Sequence, residues 1–388
     1  MIQRSRFIIL GSTGRNTGKT EFACRLIEHY GKQRKIFGVK VVTIDPDRGS
    51  CPRGGEGCGI CSSLKGDYEI TEETRADTDK DTSRMLRAGA HKVYFLKVRY
   101  DRLEQGLKAL LALLPRQALA VCESNSIRKV IEPGLFLVIK NRAERQIKES
   151  CAEVLHFANK IIDFQDMNWN FSAERVRLGE NGWSIREQAT AIVLAGGKSS
   201  RMGVDKSLLA INGRPMIDQI VRQLEGSFDE VLIGANDPAK YVFLRHPVIP
   251  DLETNRGPLM GIYSCLLASQ SEVNFVTACD IPEMNLRLIH NMINLTRDAD
   301  VVMPVQPGGR HEPLYAVYRK SVAGAAERVL NNNGRRIIEI LDHVRVRLIE
   351  FNDTGWYQNL NLKDEYTTYI KKSAHRQCHR HWRECAVR

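Results

Sequence analysis

The sequence predicts an α/β protein built from two doubly wound domains, and three observations support that expectation. Twice the chain runs from a short apolar strand into a glycine-rich, basic loop: Phe7-Ile-Ile-Leu10 into Gly11–Thr20, and Ala191–Ala195 into Gly196–Lys206. Further apolar runs alternate with amphipathic stretches, the pattern of parallel strands covered by helices. The length, 388 residues, is too great for one ordinary domain and favours two.

The second of these loops organises the rest of the chain. Residues 192–206 read Ile-Val-Leu-Ala-Gly-Gly-Lys-Ser-Ser-Arg-Met-Gly-Val-Asp-Lys. Gly196 and Gly197 have no Cβ, so main-chain N–H groups there can approach a polyphosphate closely. Arg201 and Lys206 add two cations, with Ser199, Ser200 and Asp205 between them. Gly-Gly after a strand is often only a turn; this density of polar and basic residues reads instead as a nucleotide-binding loop.

Composition narrows the partners. A net charge of +11 suits acidic ligands, and phosphorylated small molecules meet that as well as nucleic acid does. No basic stretch is interleaved with aromatics, so no nucleic acid is expected. No apolar run approaches the roughly 20 residues that span a bilayer. The first ten residues lack the length and cleavage site of a signal peptide, and the ten cysteines are scattered apart from one cluster. The expectation is a cytoplasmic protein without a disulfide framework.

In the first half, Gly11-Ser-Thr-Gly-Arg-Asn-Thr-Gly-Lys-Thr20 leads into an amphipathic run from Glu21 to Tyr30, giving strand, phosphate loop and helix. Gly14 and Gly18 open the backbone, Lys19 would reach the β- and γ-phosphates, Thr20 would hold Mg²⁺, and the helix N-terminus favours the anion. The strict P-loop pattern has glycine where this chain has Thr13. Further strands are expected at Phe37–Ile44, Lys92–Val98, Leu119–Cys122 and Leu135–Ile139. Asp45 and Glu123 end two of the strands, as metal-directed carboxylates or as solvated loop acids. Cys51, Cys58 and Cys61 share one glycine-rich loop, which suggests Zn²⁺ or an iron–sulfur cluster, with redox-active thiols as the rival reading. With Asp79-Lys-Asp-Thr-Ser-Arg84 and Ala88-Gly-Ala90, this half resembles the P-loop accessory protein of molybdopterin-guanine dinucleotide synthesis over about residues 6–140. That resemblance implies a GTP-binding partner of the guanylyltransferase, and the cysteine insert departs from its pattern.

Phe164 to Thr190 turns polar around Trp169 and Trp183, which places a boundary there. The expected organisation is a P-loop domain over 1–165, a linker or edge strands over 166–189, a second domain over 190–372 and a tail over 373–388. The tail holds His375, Cys378, His379, His381 and Cys385, as a metal site or a solvated basic extension. In the second domain, strand ends carry Asn236, Asp251 and Asp280, and Gly257-Pro-Leu-Met-Gly261 opens a helix. Such ends line the ligand-binding edge of an open parallel sheet.

The run Leu194–Lys206, Gly257–Gly261, Cys279-Asp-Ile-Pro282, His311-Glu-Pro-Leu-Tyr315 and Asn359-Leu-Asn361 together resemble the molybdenum cofactor guanylyltransferase family, in family order, over about 190–372. The second domain is thereby expected to be a Rossmann-like nucleotidyltransferase, beside a P-loop NTPase-like first domain. The resemblance assigns Leu194, Ala195 and Gly196 to guanine and ribose, Lys206 to phosphate, Asp251 to the nucleoside and Asp280 to Mg²⁺. Asn359 or Asn361 would complete the metal's shell, by analogy with sugar nucleotidyltransferases. The family can place an asparagine where this chain has Gly234, two residues before Asn236. His311 and Glu312 are either pterin contacts or ordinary loop residues. The implied reaction is attack of the terminal phosphate of molybdopterin, or of its molybdenum form, on the α-phosphorus of GTP. Lys206 and Arg201 would stabilise the leaving pyrophosphate. Two alternatives stay open: CTP or another phosphorylated acceptor as substrate, and a non-catalytic carrier or scaffold serving molybdoenzymes or their chaperones.

Overall fold

A computed structural model of the chain describes residues 1–45, 64–143, 146–179, 182–196, 205–350, 356–360 and 364–371. It divides into two units, Met1–Ile185 and Arg186–Arg388. Among the described residues no helix is long and apolar enough to cross a membrane.

The first unit runs β1 (Ile2–Ser12), α1 (Lys19–Gly31), β2 (Ile36–Ile44), β3 (Tyr68–Glu73), α2 (Asp81–Arg87), β4 (Lys92–Arg99), α3 (Leu103–Ala112), β5 (Leu119–Glu123), β6 (Ile131–Asn141), α4 (Glu149–Ala152), β7 (Lys160–Gln165), β8 (Asn168–Trp169), β9 (Val176–Gly179) and β10 (Gly182–Ile185). Eight strands form one sheet in the order β3-β4-β2-β5-β1-β6-β7-β8, parallel except for β3 and β8 at its edges. Strand β1 is buried on both faces. Ile8 and Leu10 share a core with Phe22, Ala23, Leu26 and Ile27 of α1, while Phe7 and Ile9 share the opposite core with Leu103, Leu107 and Leu110 of α3. That is why its apolar run is continuous rather than alternating.

The polar stretch after β7 packs on this same unit. Trp183 Nε1 donates to the Arg6 carbonyl at 2.8 Å, and Val176, Trp183 and Ile185 belong to the α1 core. Its polarity reflects a two-stranded β9–β10 ribbon with one buried face. Gly182, at φ +109°, allows the approach: a Cβ there would lie 2.2 Å from the Ser5 carbonyl oxygen.

The second unit runs β11 (Glu187–Leu194), β12 (Ala210–Ile211), β13 (Arg214–Pro215), α5 (Met216–Leu224), β14 (Phe228–Gly234), β15 (Val248–Ile249), α6 (Pro258–Ala268), β16 (Val273–Ala278), α7 (Leu286–Leu295), β17 (Val301–Val305), β18 (Tyr315–Arg319), α8 (Ala323–Asn331) and β19 (Val346–Glu350). Its main sheet has the order β15-β14-β11-β16-β18-β17-β19, with β18 antiparallel to both of its neighbours. Both units are thus α/β with parallel-rich sheets. Ala191 and Val193 face the core built with α5 and α7; Ile192 and Leu194 face the core built with α6 and α8. Helix α5 buries Met216, Ile217, Ile220, Val221 and Leu224, the helical spacing of a single face. Helix α7 is capped by Asn285, whose side chain accepts from Leu288 N–H at 3.0 Å, a bond of about 1 kcal/mol.

Substituting Gly182→Ala sets a Cβ against main chain in a backbone conformation alanine resists. The expected cost is about 2 kcal/mol or more of first-unit stability. Urea unfolding followed by tryptophan fluorescence checks this.

Candidate active site

The carboxyl ends of β11, β14 and β16 open on a cavity of about 770 Å³. Main-chain bonds lace those ends together: Ala195 N–H donates to Gly234 O at 2.9 Å, Cys279 N–H to Leu194 O at 3.0 Å, and Ala235 N–H to Ile249 O at 3.0 Å. Of the residues singled out from sequence, Leu194, Ala195, Gly196, Lys206, Asn236, Asp251 and Asp280 all line this one cavity. Gly197, Arg201 and Asn361 lie outside the described residues, as do Cys51, Cys58, Cys61 and the tail cysteines and histidines.

The loop's two described ends are tied by one buried side chain. Tyr241 Oη donates to the Ala195 carbonyl at 3.2 Å and lies 3.0 Å from Ser207 Oγ. Asp205 then caps the short turn carrying Lys206, accepting from Ser207 N–H at 3.0 Å and Ser207 Oγ at 2.7 Å, and pairs with Lys240. Burial pushes the Asp205 carboxyl up, but Lys240 and Ser207 outweigh it and hold the group below its ordinary range.

Beyond the ends of β14 and β15, Asn236 and Asp251 clamp one another. Asn236 Nδ2 donates to Asp251 Oδ2 at 2.8 Å, and Asp251 N–H donates to Asn236 Oδ1 at 2.7 Å. Gly257, at φ +80°, precedes α6 and turns its open side to the Arg335 carbonyl, 3.1 Å from where a Cβ would stand. Gly234 is required for a related reason: a Cβ there would meet Leu194 Cδ2 at 2.5 Å and Cys265 Sγ at 3.1 Å. An asparagine at 234 would displace Leu194, so in this chain the strand-end amide comes from Asn236.

Asp280 follows β16 and is half-buried. Burial raises its carboxyl above the ordinary value; Lys206 opposes the rise, and Glu312 and Glu365 add to it. Leu360 N–H donates to the Asp280 carbonyl at 2.9 Å, which brings residues 356–360 to the site. There Asn359 Oδ1 is buried with no hydrogen-bond partner. Such an oxygen costs free energy unless something else, such as a cation, satisfies it. A half-buried carboxylate with an orphaned amide oxygen beside its chain is a donor set suited to a hard divalent cation, which takes few protein oxygens and completes its shell with water and phosphate. Among the described residues no group of three His, Cys, Asp or Glu side chains converges on a metal site. Glu312 is turned inward, 4% exposed and bonded to Tyr357. Sequence reading passed over Asn255 and Arg335, which also line the cavity, as does Leu314 of the His311–Tyr315 motif. Arg335 follows Gly334 in a loop after α8, and only the fold returns that loop to the cavity.

The first unit has its own loop. Ser12 is clamped by Asn125, whose Oδ1 accepts from Ser12 N–H at 2.8 Å and whose Nδ2 donates to Ser12 O at 3.1 Å. Thr13 N–H still pairs with Ile139 O at 3.0 Å, so the chain at 13 remains strand-like and needs no glycine. Gly14 accepts from Ser12 Oγ at 3.0 Å; Gly18, at φ +69°, precedes Lys19 and Thr20, which begin α1. Thr20 Oγ1 donates to Asp81 Oδ1 at 3.1 Å, and Lys40 pairs with Asp81 and, at 3.5 Å, with Glu123. Glu123 is 1% exposed and neither carboxylate oxygen accepts a hydrogen bond. Asp81 was visible in sequence only as part of a motif; the fold sets it on Thr20.

For Gly234→Ala we expect a loss of about 1–3 kcal/mol of stability as Leu194 is forced aside. Nucleotide affinity should fall with it, because Leu194 lines the cavity; thermal melts with and without nucleotide separate the two effects.

Residues 191–346 match the model of the MobA-like NTP transferase domain. A Carboxydothermus hydrogenoformans protein described as "Probable molybdenum cofactor guanylyltransferase" is 36% identical over 192 residues, 48% of this chain and 96% of its own length. The molybdenum cofactor guanylyltransferase of Desulfosudis oleivorans is 34% identical over 189 residues, 46% of this chain and 93% of its own length. Among solved structures, molybdopterin-guanine dinucleotide biosynthesis protein A from Archaeoglobus fulgidus aligns at TM-score 0.41 and 21% identity, covering 47% of this chain and 96% of that one. Through its second unit, the chain belongs to the molybdenum cofactor guanylyltransferase family and is a nucleotidyltransferase of molybdenum cofactor biosynthesis.

Proposed function

We propose that the second unit transfers GMP from GTP to the terminal phosphate of molybdopterin or its molybdenum form, releasing pyrophosphate. The single observation that carries this reading is the convergence of Lys206, Asp251 and Asp280 on one cavity at the carboxyl ends of β11, β14 and β16. Phosphoryl-type transfer asks for positioning and charge neutralisation more than for covalent work by the protein. Leu194, Ala195 and Gly196 bound the nucleoside end, with Asp251 oriented by Asn236. Lys206, with Arg201 from the same loop, neutralises the departing pyrophosphate. The attacking phosphate is already ionised at neutral pH, so the site needs no general base.

Asp280 and Asn359 would hold Mg²⁺, with Asn361 a further candidate ligand. The chemistry such an ion supplies is charge neutralisation where the α-phosphate and the incoming phosphate meet. The support is the Asp280 carboxyl lining the cavity and the buried, unpartnered Asn359 oxygen.

The first unit is, in the same reading, a P-loop accessory domain that binds a second GTP. Gly14 and Gly18 leave the loop backbone open, Lys19 meets the phosphates, and Thr20 with Asp81 holds the nucleotide's Mg²⁺. Glu123, next to Lys40, is the strand-end acid of that site. Cys51, Cys58 and Cys61 remain candidates for Zn²⁺ or an iron–sulfur cluster. Molybdoenzymes or their chaperones are the macromolecular partners that fit the product.

Purified protein given GTP, Mg²⁺ and molybdopterin should form the guanine dinucleotide and pyrophosphate. Asp280→Ala should lower turnover at least about a hundredfold; unchanged turnover would refute its role. Lys19→Ala should reduce bound GTP from two per chain to one by equilibrium dialysis, and retention of both would refute the first-unit site.

A further inference from the structure

Glu312 is buried at 4% exposure, and its carboxylate can accept hydrogen bonds but not give them. Gln306 Nε2 donates to its Oε1 at 2.5 Å, where Arg310 Nε also lies at 3.3 Å. The other oxygen, Oε2, is 2.6 Å from Tyr357 Oη, so the tyrosine must be the donor. A phenol has one hydrogen. With it committed to Glu312, the Tyr357 oxygen can only accept from its other neighbour, which is the side chain of Asn359.

An asparagine amide can face such an acceptor only with its NH₂. Its Oδ1 is then left at the opposite end, where it is buried and has no partner. The orientation of an amide is read from its network rather than from its shape, and here every link in the network has a fixed polarity. Asn359 also precedes Leu360, whose N–H is bonded to the Asp280 carbonyl.

We infer that Glu312 is a positioning residue for the metal site: through Tyr357 it dictates which way the Asn359 amide faces, so that the oxygen and not the NH₂ is left for a cation held by Asp280. This rests on the reading above that Asp280 and Asn359 bind the divalent ion. An NH₂ in that place cannot ligate a metal. Glutamine at 312 is close in size, but its amide can donate to Tyr357. The tyrosine hydrogen is then free to turn to Asn359, and the amide can reverse. Conserving volume at 312 therefore does not conserve the site.

The test is Mn²⁺ titration by electron paramagnetic resonance, on the full chain with a non-hydrolysable GTP analogue. A Lys19→Ala background keeps the first-unit loop from contributing. Glu312→Gln and Tyr357→Phe should each weaken Mn²⁺ binding about tenfold or more, the usual size of such supporting contacts. Their urea midpoints should stay near that of the parent. Adding Asn359→Asp to Glu312→Gln should restore most of the lost affinity, because a carboxylate offers oxygen in either orientation. Glu312→Gln that binds Mn²⁺ like the parent, while Asp280→Ala does not, overturns the inference and leaves the metal reading standing. Absence of rescue by Asn359→Asp makes Glu312 a packing residue and overturns it too. Parent-like binding by Asp280→Ala removes the metal reading and this inference together.

Discussion

The pairing of β11 between β14 and β16 is the constraint on which the second unit depends. Leu194 stands opposite Gly234 on one side and Ala278 on the other. Because Ala191 and Val193 fill one core and Ile192 and Leu194 the other, a slip of one residue would exchange the two sets and misfill both faces. The register is therefore held by packing, and the backbone bonds of Ala195 and Cys279 to the neighbouring strand ends follow from it. Asn236, the loop after Leu194 and Asp280 arrive at the same level of the sheet as a consequence. Stability and site geometry share this origin, which is why Gly234, which carries no side chain, matters to both.

Two of the carboxylates lining that cavity are held by a neighbouring side chain. Asp205 is bonded to Lys240 and caps the turn bearing Lys206; Asp251 is clamped by Asn236. Asp280 is left with burial pressing its carboxyl towards the neutral form and Lys206 opposing that pressure. A site proposed to take both a polyphosphate and a divalent ion needs cations and a carboxylate at short range without letting them neutralise one another. The flanking acid, Asp205, has its own lysine in Lys240. The inward-turned Glu312 is bonded to Tyr357, and its charge adds to the upward pressure on the Asp280 carboxyl.

The first unit repeats the device in a different topology. Strand β1 also lies between two parallel neighbours, and also ends in a loop leading to a helix. What differs is the acid. Instead of a carboxylate at the end of the next strand alone, Asp81 from α2 meets Thr20, with Lys40 bridging to Glu123. Thr13 departs from the P-loop spacing without consequence for the backbone, because its N–H is still in the sheet.

Much of this was legible in the chain itself. Strands buried on both faces leave continuous apolar runs, and glycines that follow them mark where the chain leaves the sheet; both signals are local, so the strands at Phe7–Leu10 and Ala191–Leu194 and the turns after them could be read directly. Edge strands such as β3 and the β9–β10 ribbon bury one face or less, and their polar sequences carried no such signal; 166–189 read as linker or edge strands, and its described residues up to Ile185 belong to the first unit. The acids and amides at strand ends were visible as residues but not as partners. Local sequence determined which residues end each strand, because periodicity and turn chemistry act over a few residues. Only tertiary structure decided that Asp81 meets Thr20, that Gly234 makes room for Leu194, and that Glu312 faces Tyr357 rather than the cavity. Those contacts join segments tens of residues apart, and what sets them is packing against shared cores.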